Sequence, residues 1–190
     1  MTAPSIVLVS GSLRRGSTCD RVAQLCARYC TALGAHTRLF PGASLRFPFY
    51  EPGLADTHDG LRDFLDALAG ASGVVLVSPA YHGTVSGLLK NALDFVNDLG
   101  GTRPYLDGRA VACLAVGGGS QGAASTLATL RTVSHALRGW PTPLGVVVTP
   151  PADLCEDGDA AVQCRTQMSQ LLSHVYAQRA DARPPLEVLQ

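Results

Sequence analysis

Three short stretches of the chain concentrate groups that could grip a small anionic or planar ligand. The first, Ser10-Gly-Ser-Leu-Arg-Arg-Gly-Ser-Thr18, carries four hydroxyls (Ser10, Ser12, Ser17, Thr18), two glycines, and the cations Arg14 and Arg15. Several donors and positive potential ahead of a helix start are what a phosphate group needs. The stretch has neither the G-K-[ST] of a Walker A loop nor a G-x-G-x-x-G fingerprint, so a capped helix start with exposed arginines is the competing reading. The second, Ser78-Pro-Ala-Tyr-His-Gly-Thr-Val-Ser-Gly87, joins a stiff strand exit at Pro79 to Gly83 and Gly87. A planar ring can lie along such a backbone, with Tyr81 and His82 as stacking or shielding groups. The third, Gly117-Gly-Gly-Ser-Gln-Gly122, lets the chain pass close to a ligand through Gly117, Gly118, Gly119 and Gly122, with Ser120 as its hydroxyl; a plain tight turn is the alternative. One phosphate and one planar heterocycle make a mononucleotide, and flavin fits both parts.

Other chemistries lack their residues. Six cysteines include no C-x-x-C pair, and five histidines show no H-E-x-x-H spacing, so no metal is expected. Cys26 and Cys30 lie four apart in a helical pattern and read as small buried apolar groups. No Ser/His/Asp set or carboxylate pair suggests a catalytic side chain, and none is assigned.

The three stretches need a scaffold that brings them together. Apolar runs at 6–9, 74–77, 110–116 and 144–148 are continuous rather than alternating, the pattern of strands covered on both faces; a weaker run at 36–40 reads as an edge strand. Segments with helical period at 20–33, 60–69, 88–99, 123–137 and 160–179 separate or follow them. The last opens after an acidic stretch, Asp153, Glu156, Asp157 and Asp159, which suits a helix dipole. Strands alternating with helices predict an α/β fold, a flavodoxin-like doubly wound sheet of five parallel strands in the order 2-1-3-4-5. In that fold ligands bind beyond the carboxyl ends of the strands, where all three stretches fall.

At 190 residues with 46% apolar and 16% charged residues, the chain fits one domain, taken as 1–181, with a loose tail at 182–190. Its 15 basic residues cancel 15 acidic ones, against a nucleic-acid or anionic-membrane binder. The start of the chain has no basic n-region, and the run at 6–9 is far too short to span a membrane, so a soluble cytoplasmic protein is expected. Fourteen of the basic residues are Arg and one is Lys90, a bias that genome composition explains. Phe47-Pro-Phe-Tyr50 is an aromatic loop that either covers the ligand, packs on a partner or closes the edge of the core.

From about residue 5 to 148 the chain resembles the NADPH-dependent FMN reductase family, flavodoxin-like flavoproteins that include chromate, quinone and azo reductases. The matching residues are Gly11-Ser-Leu-Arg14 with Ser17, then Ala71-Ser-Gly-Val-Val-Leu-Val-Ser-Pro-Ala-Tyr-His-Gly83 leading into Gly87-Leu-Leu-Lys-Asn-Ala-Leu-Asp94, and the glycine loop 117–122. The resemblance implies that Ser12, Arg14, Ser17 and Thr18 hold the FMN phosphate, that residues 79–83 line the isoalloxazine, and that 117–122 close its far side. Two positions depart from the family pattern: Cys19 stands where an Asn is common, and Ala80 where an acid or amide is common. The implied activity is hydride transfer from NADPH or NADH to FMN, with reduced FMN released to a partner monooxygenase. A flavin-retaining reductase of quinone, azo or nitro compounds is the alternative, and a non-catalytic electron carrier a more distant one, since carriers of this fold are usually strongly acidic. A homodimer or homotetramer is also implied, with helix 88–99 a face for it.

Overall fold

Continuous apolar strands need cover on both faces, and the chain supplies it from two sets of helices. The computed structural model describes residues 2–99, 103–152, 154–155 and 157–180; the expected tail at 182–190, with Asp153 and Glu156, lies outside these. The parallel sheet contains β1 (Ser5–Ser10), β2 (His36–Phe40), β3 (Gly73–Pro79), β4 (Ala110–Val116), β5 (Trp140–Pro141) and β6 (Val146–Val148) in the order β2-β1-β3-β4-β5, with β6 also pairing β4. Side chains alternate across the sheet, and this divides each run between two cores. Ile6, Leu8, Val75, Val77, Ala112 and Leu114 face α1 (Thr18–Ala32) and α5 (Asp159–Ala180). Val7, Val9, Val74, Leu76, Val111 and Cys113 face α2 (Asp59–Ala69), α3 (Gly87–Asp94) and α4 (Ser120–Ala136). Each fully buried Val, Leu or Ile stabilises the fold by about 1.5–3 kcal/mol, and the buried polar residues of β1 and β3, Ser10 and Ser78, stand at the carboxyl ends of their strands, each with its hydroxyl bonded.

The order 2-1-3-4-5 is the one expected, but its fifth position is divided. Trp140 and Pro141 pair with Ala110 and Val111 at the start of β4, and residues 146–148 pair with 114–116 at its end. Between them Pro141 and Pro143 cannot donate to a ladder. Thr142 turns inward instead, its hydroxyl bonded to the Leu144 carbonyl at 2.8 Å.

Helix limits differ from the expected ones at three places that shape the site. Ser17 caps α1 by accepting from the Asp20 amide at 3.1 Å, so the helix starts at Thr18 rather than residue 20. α4 starts at Ser120 rather than 123, so Ser120 and Gly122 belong to a helical first turn. The expected 88–99 helix ends at Asp94 and tightens to a 3₁₀ turn, Phe95–Asp98. That turn buries Phe95 and Val96 completely, and the Asn97 amide satisfies the Asp94 carbonyl at 2.9 Å. No described helix is long and apolar enough to cross a membrane.

Candidate functional site

The register of the sheet sets the strand exits side by side. Ser10 pairs with Val77, Pro79 with Val116, and Val116 with Val148. The loops that leave β1, β3, β4 and β6 therefore rise together at the carboxyl edge.

The loop after β1 is built around a helix start. Gly16 turns the chain with a φ of 66°, the Ser17 amide bonds the Arg14 carbonyl at 3.1 Å, and the Ser17 hydroxyl then caps α1. The Asp20 and Arg21 amides are taken by Ser17, which leaves those at the very start of the turn to an anion. Ser10 behaves differently from the other hydroxyls. It is fully buried and donates to the Asp20 carboxylate at 2.6 Å, so its proton is committed inside the fold. Burial and the neighbouring Asp20 push the Cys19 thiol up to about 12, against the pull of Arg14, so it stands as a neutral thiol in the wall. Gly42 backs the loop from outside: a Cβ there would lie 2.0 Å from the Ser12 carbonyl oxygen.

The loops after β3 and β4 form a flat-sided pair. Tyr81 and Thr84 exchange backbone bonds at 3.0 and 3.1 Å around a tight turn in which His82 and Gly83 both have positive φ, 53° and 79°. This leaves the His82 and Gly83 amides out of the bridge. The Ala80 amide is held by the Val116 carbonyl at 2.7 Å and the Gly117 amide by the Val148 carbonyl at 3.0 Å. A Cβ on Gly117 would sit 3.0 Å from the Ala80 Cβ and 3.1 Å from that of Ala123. The small residue at 80 and the glycine at 117 thus depend on each other.

Between these loops lies a cavity of about 270 Å³ lined by Ser12, Arg14, Ser17, Thr18, Cys19, Pro79, Ala80, Tyr81, Val116, Gly117, Gly118 and Pro150. Nine of the fifteen residues assigned from the sequence meet there. Of the other six, Ser10 lies beneath the floor, while His82, Gly83, Gly119, Ser120 and Gly122 stand outside the lining. The lining gains Val116, Pro150 and Cys19. Pro150 follows β6, and the rule that ligands gather at strand exits pointed to that fourth loop as well. Asp20 had no signal, because an acid in a first turn normally complements the helix dipole.

A larger hollow of about 540 Å³ lies beyond Pro150, and the described residues that line it include Asp157, Asp159 and Gln163 and no basic side chain. Both hollows contain a helix start, but the carboxylates of this one disfavour an anion, whereas the smaller cavity contains Arg14. The aromatic loop mostly closes the core: Phe47 packs on Phe64 and Phe95 with ring centres 5.6 and 6.1 Å apart, and Tyr50 on Phe95 at 5.1 Å. Phe49 alone points outward, 91% exposed, bracketed by the Asn91 amide on Pro48 and Tyr50. Lys90 pairs with Asp94 at 2.5 Å on the exposed side of α3.

Comparison with known proteins bears on the family and the fold. Residues 4–153 match the family model described as NADPH-dependent FMN reductase. A Shigella flexneri protein named NADPH-dependent FMN reductase ArsH is 30% identical over 139 residues, 73% of this chain and 53% of that protein. The FMN-dependent NADPH-azoreductase of Staphylococcus haemolyticus is 31% identical over 103 residues, 54% of this chain and 52% of its own. The chain thus spans about half the length of these curated relatives. Among solved structures, the apo form of an NADH:FMN oxidoreductase (EMOB) superposes with a TM-score of 0.73 at 24% identity, covering 90% of both chains. An archaeal flavodoxin superposes with a TM-score of 0.64 at 11% identity, covering 90% of this chain and 98% of its own. At these identities the structures share the fold.

Proposed function

The chain belongs to the NADPH-dependent FMN reductase family, and from that premise we propose that it is an NAD(P)H-dependent flavin oxidoreductase that uses FMN at the carboxyl edge of its sheet. One observation carries this reading: a single cavity has a hydroxyl-rich helix start with Arg14 at one end and a slot of Pro79, Ala80, Gly117 and Gly118 at the other. The residues fit the cofactor. The phosphate needs anionic recognition, which Ser12, Arg14, Ser17, Thr18 and the first turn of α1 supply. The ring needs a flat surface without side chains, and the mutual contact of Ala80 and Gly117 keeps the slot walls small.

Bound FMN would supply hydride acceptance from reduced nicotinamide, a reaction native to the cofactor. The protein's part is placement. Pro79 and Ala80 support the ring plane, Tyr81, 53% exposed at the rim, shields it from water, and Ser17 and Arg14 fix the far end. No side chain in the lining acts as acid or base, and the Cys19 thiol stays neutral.

The cavity's volume of about 270 Å³ lies just below the range of about 300–1,000 Å³ typical of enclosing ligand sites. We take the flavin as an exchanging substrate rather than a retained group, the choice that added FMN tests directly. Release of reduced FMN to a monooxygenase, a cytoplasmic location, and assembly into homodimers or homotetramers extend the same reading. The test is NADPH and NADH oxidation by the purified chain with and without added FMN, with a quinone as a second acceptor. Oxidation that needs free FMN supports the proposal. A rate indifferent to FMN but dependent on quinone favours the flavin-retaining alternative, and no oxidation in any arm overturns the enzyme reading.

A further inference from the structure

Between the loop after β1 and the exit of β3, bonded to both, lies Ser86. It is 2% exposed and absent from the cavity wall. Its hydroxyl makes two bonds that belong to different tasks. It accepts from the Leu89 amide at 3.2 Å, which caps α3, and it donates to the Gly11 carbonyl at 2.7 Å, seventy-five residues away in the loop after β1. Its own amide donates to the Ser78 hydroxyl at 3.1 Å, at the exit of β3.

These bonds converge on a point of close approach. The Gly11 amide donates to the Val77 carbonyl at 2.8 Å, so both peptide groups of Gly11 are held by residues flanking the ring loop. A Cβ at position 11 would lie 2.9 Å from the Ser86 hydroxyl oxygen and 3.0 Å from the Leu89 Cβ, so only glycine permits the approach. Ser12, the first residue of the cavity's hydroxyl-rich end, follows directly. The ring loop has separate supports, the bonds from Ala80 to Val116 and from Gly117 to Val148. Ser86 is therefore the side chain that ties the position of the anion-binding loop to the position of the ring slot.

We propose that Ser86 is a positioning residue that sets the spacing between the phosphate end and the ring end of the cavity, and through that spacing selects flavin bearing a 5′-phosphate over flavin without one. The proposal rests on the assignment of FMN to this cavity. A ligand that engages both ends needs them at a fixed separation, and binding weakens when the protein must restore that separation itself. A ligand that engages only the ring slot does not depend on it.

The experiment titrates the purified full chain with FMN and, separately, with riboflavin, following flavin fluorescence, for the unmodified protein, Ser86→Gly and Ser86→Ala. Glycine is an acceptable helix N-cap and alanine a poor one, and both keep the amide that bonds Ser78. The expected result is a preference for FMN in the unmodified protein that falls by about tenfold, or 1.4 kcal/mol, in both variants. Riboflavin affinity stays within about twofold, while Ser86→Ala melts lower than Ser86→Gly. The same loss in two variants of unequal stability separates positioning from a merely structural role. Equal weakening of both flavins, or a lost preference in Ser86→Ala alone, overturns the proposal and leaves the cofactor assignment standing. An unmodified protein that binds neither flavin overturns the assignment and this inference together.

Discussion

The two edges of the sheet solve the same problem, loops full of unpaired backbone groups, in opposite ways. At the amino edge one long cation closes the account: Arg109 donates to the carbonyls of Ala69, Ala71 and Tyr105 at 2.7, 3.1 and 3.2 Å. Arg179 reaches the Thr2 carbonyl at 2.7 Å, and the Tyr176 hydroxyl the Leu33 carbonyl at 3.1 Å. At the carboxyl edge the buried links are short hydroxyls and backbone amides, and Arg14 lines an open cavity. One edge saturates its groups with side chains of its own, while the other leaves a helix start and a small-residue slot for something else. Saturation is what stability requires, and unsatisfied but pre-placed donors are what binding requires.

Five perturbations can break or sharpen that contrast, and the largest should ignore it. Burial pushes the thiols of Cys19 and Cys30 up to about 12 and that of Cys113 to about 11, from an ordinary value of 9.0. The unfolded chain releases these protons first, so their contribution is intact below pH 9 and disappears as pH rises toward 11–12. Stability should fall by at most about 1.4 kcal/mol per pH unit for each thiol in that window. Urea midpoints between pH 7 and 10.5 check it, and a flat profile would contradict the buried, neutral thiols.

Gly42→Ala places a methyl against the Ser12 carbonyl and should weaken FMN binding by about 100-fold, near 2.7 kcal/mol; equilibrium titration decides. Arg109→Ala strands three carbonyls at the amino edge and should lower stability by about 2–3 kcal/mol, with the FMN affinity of the folded protein unchanged. A matched loss of affinity would show that the edges are coupled. Arg14→Ala is the converse: about a tenfold loss of FMN affinity that shrinks at high salt, with a melting temperature within error of the parent. Lys90→Arg should do least. The pair with Asp94 is half exposed on the lysine side, and such pairs contribute at most about 1 kcal/mol, so denaturant midpoints and FMN affinity should both match the parent.

What could be read from the sequence follows from how local each signal is. The strand runs around Val7, Val75 and Ala112 were legible because burial on both faces makes them continuously apolar, and the order of strands because five short strands alternating with helices suit that doubly wound order. The hydroxyl-rich start of α1 was legible because its donors cluster in one short stretch, 10–18. Ser86 was not, because its partner Gly11 is distant in the chain, and a serine ahead of a helix reads only as a cap. Ser10 looked like one more phosphate donor until Asp20, ten residues on, was found to hold its proton. The divided fifth strand was hidden because the apolar run at 144–148 resembles one strand, and only pairing with both ends of β4 reveals the second piece.

That divided strand also bears on how copies of this protein can meet. An intact outer strand would offer a row of free amides and carbonyls on which a neighbour could extend the sheet, the usual route to uncontrolled stacking. Here the row is interrupted after two residues by Pro141 and Pro143 and resumes for only three. The opposite rim, β2, alternates exposed and half-buried residues, with Arg38 paired to Asp63 across it. Neither rim offers a long, free backbone edge among the described residues, so assembly through a shared sheet is disfavoured.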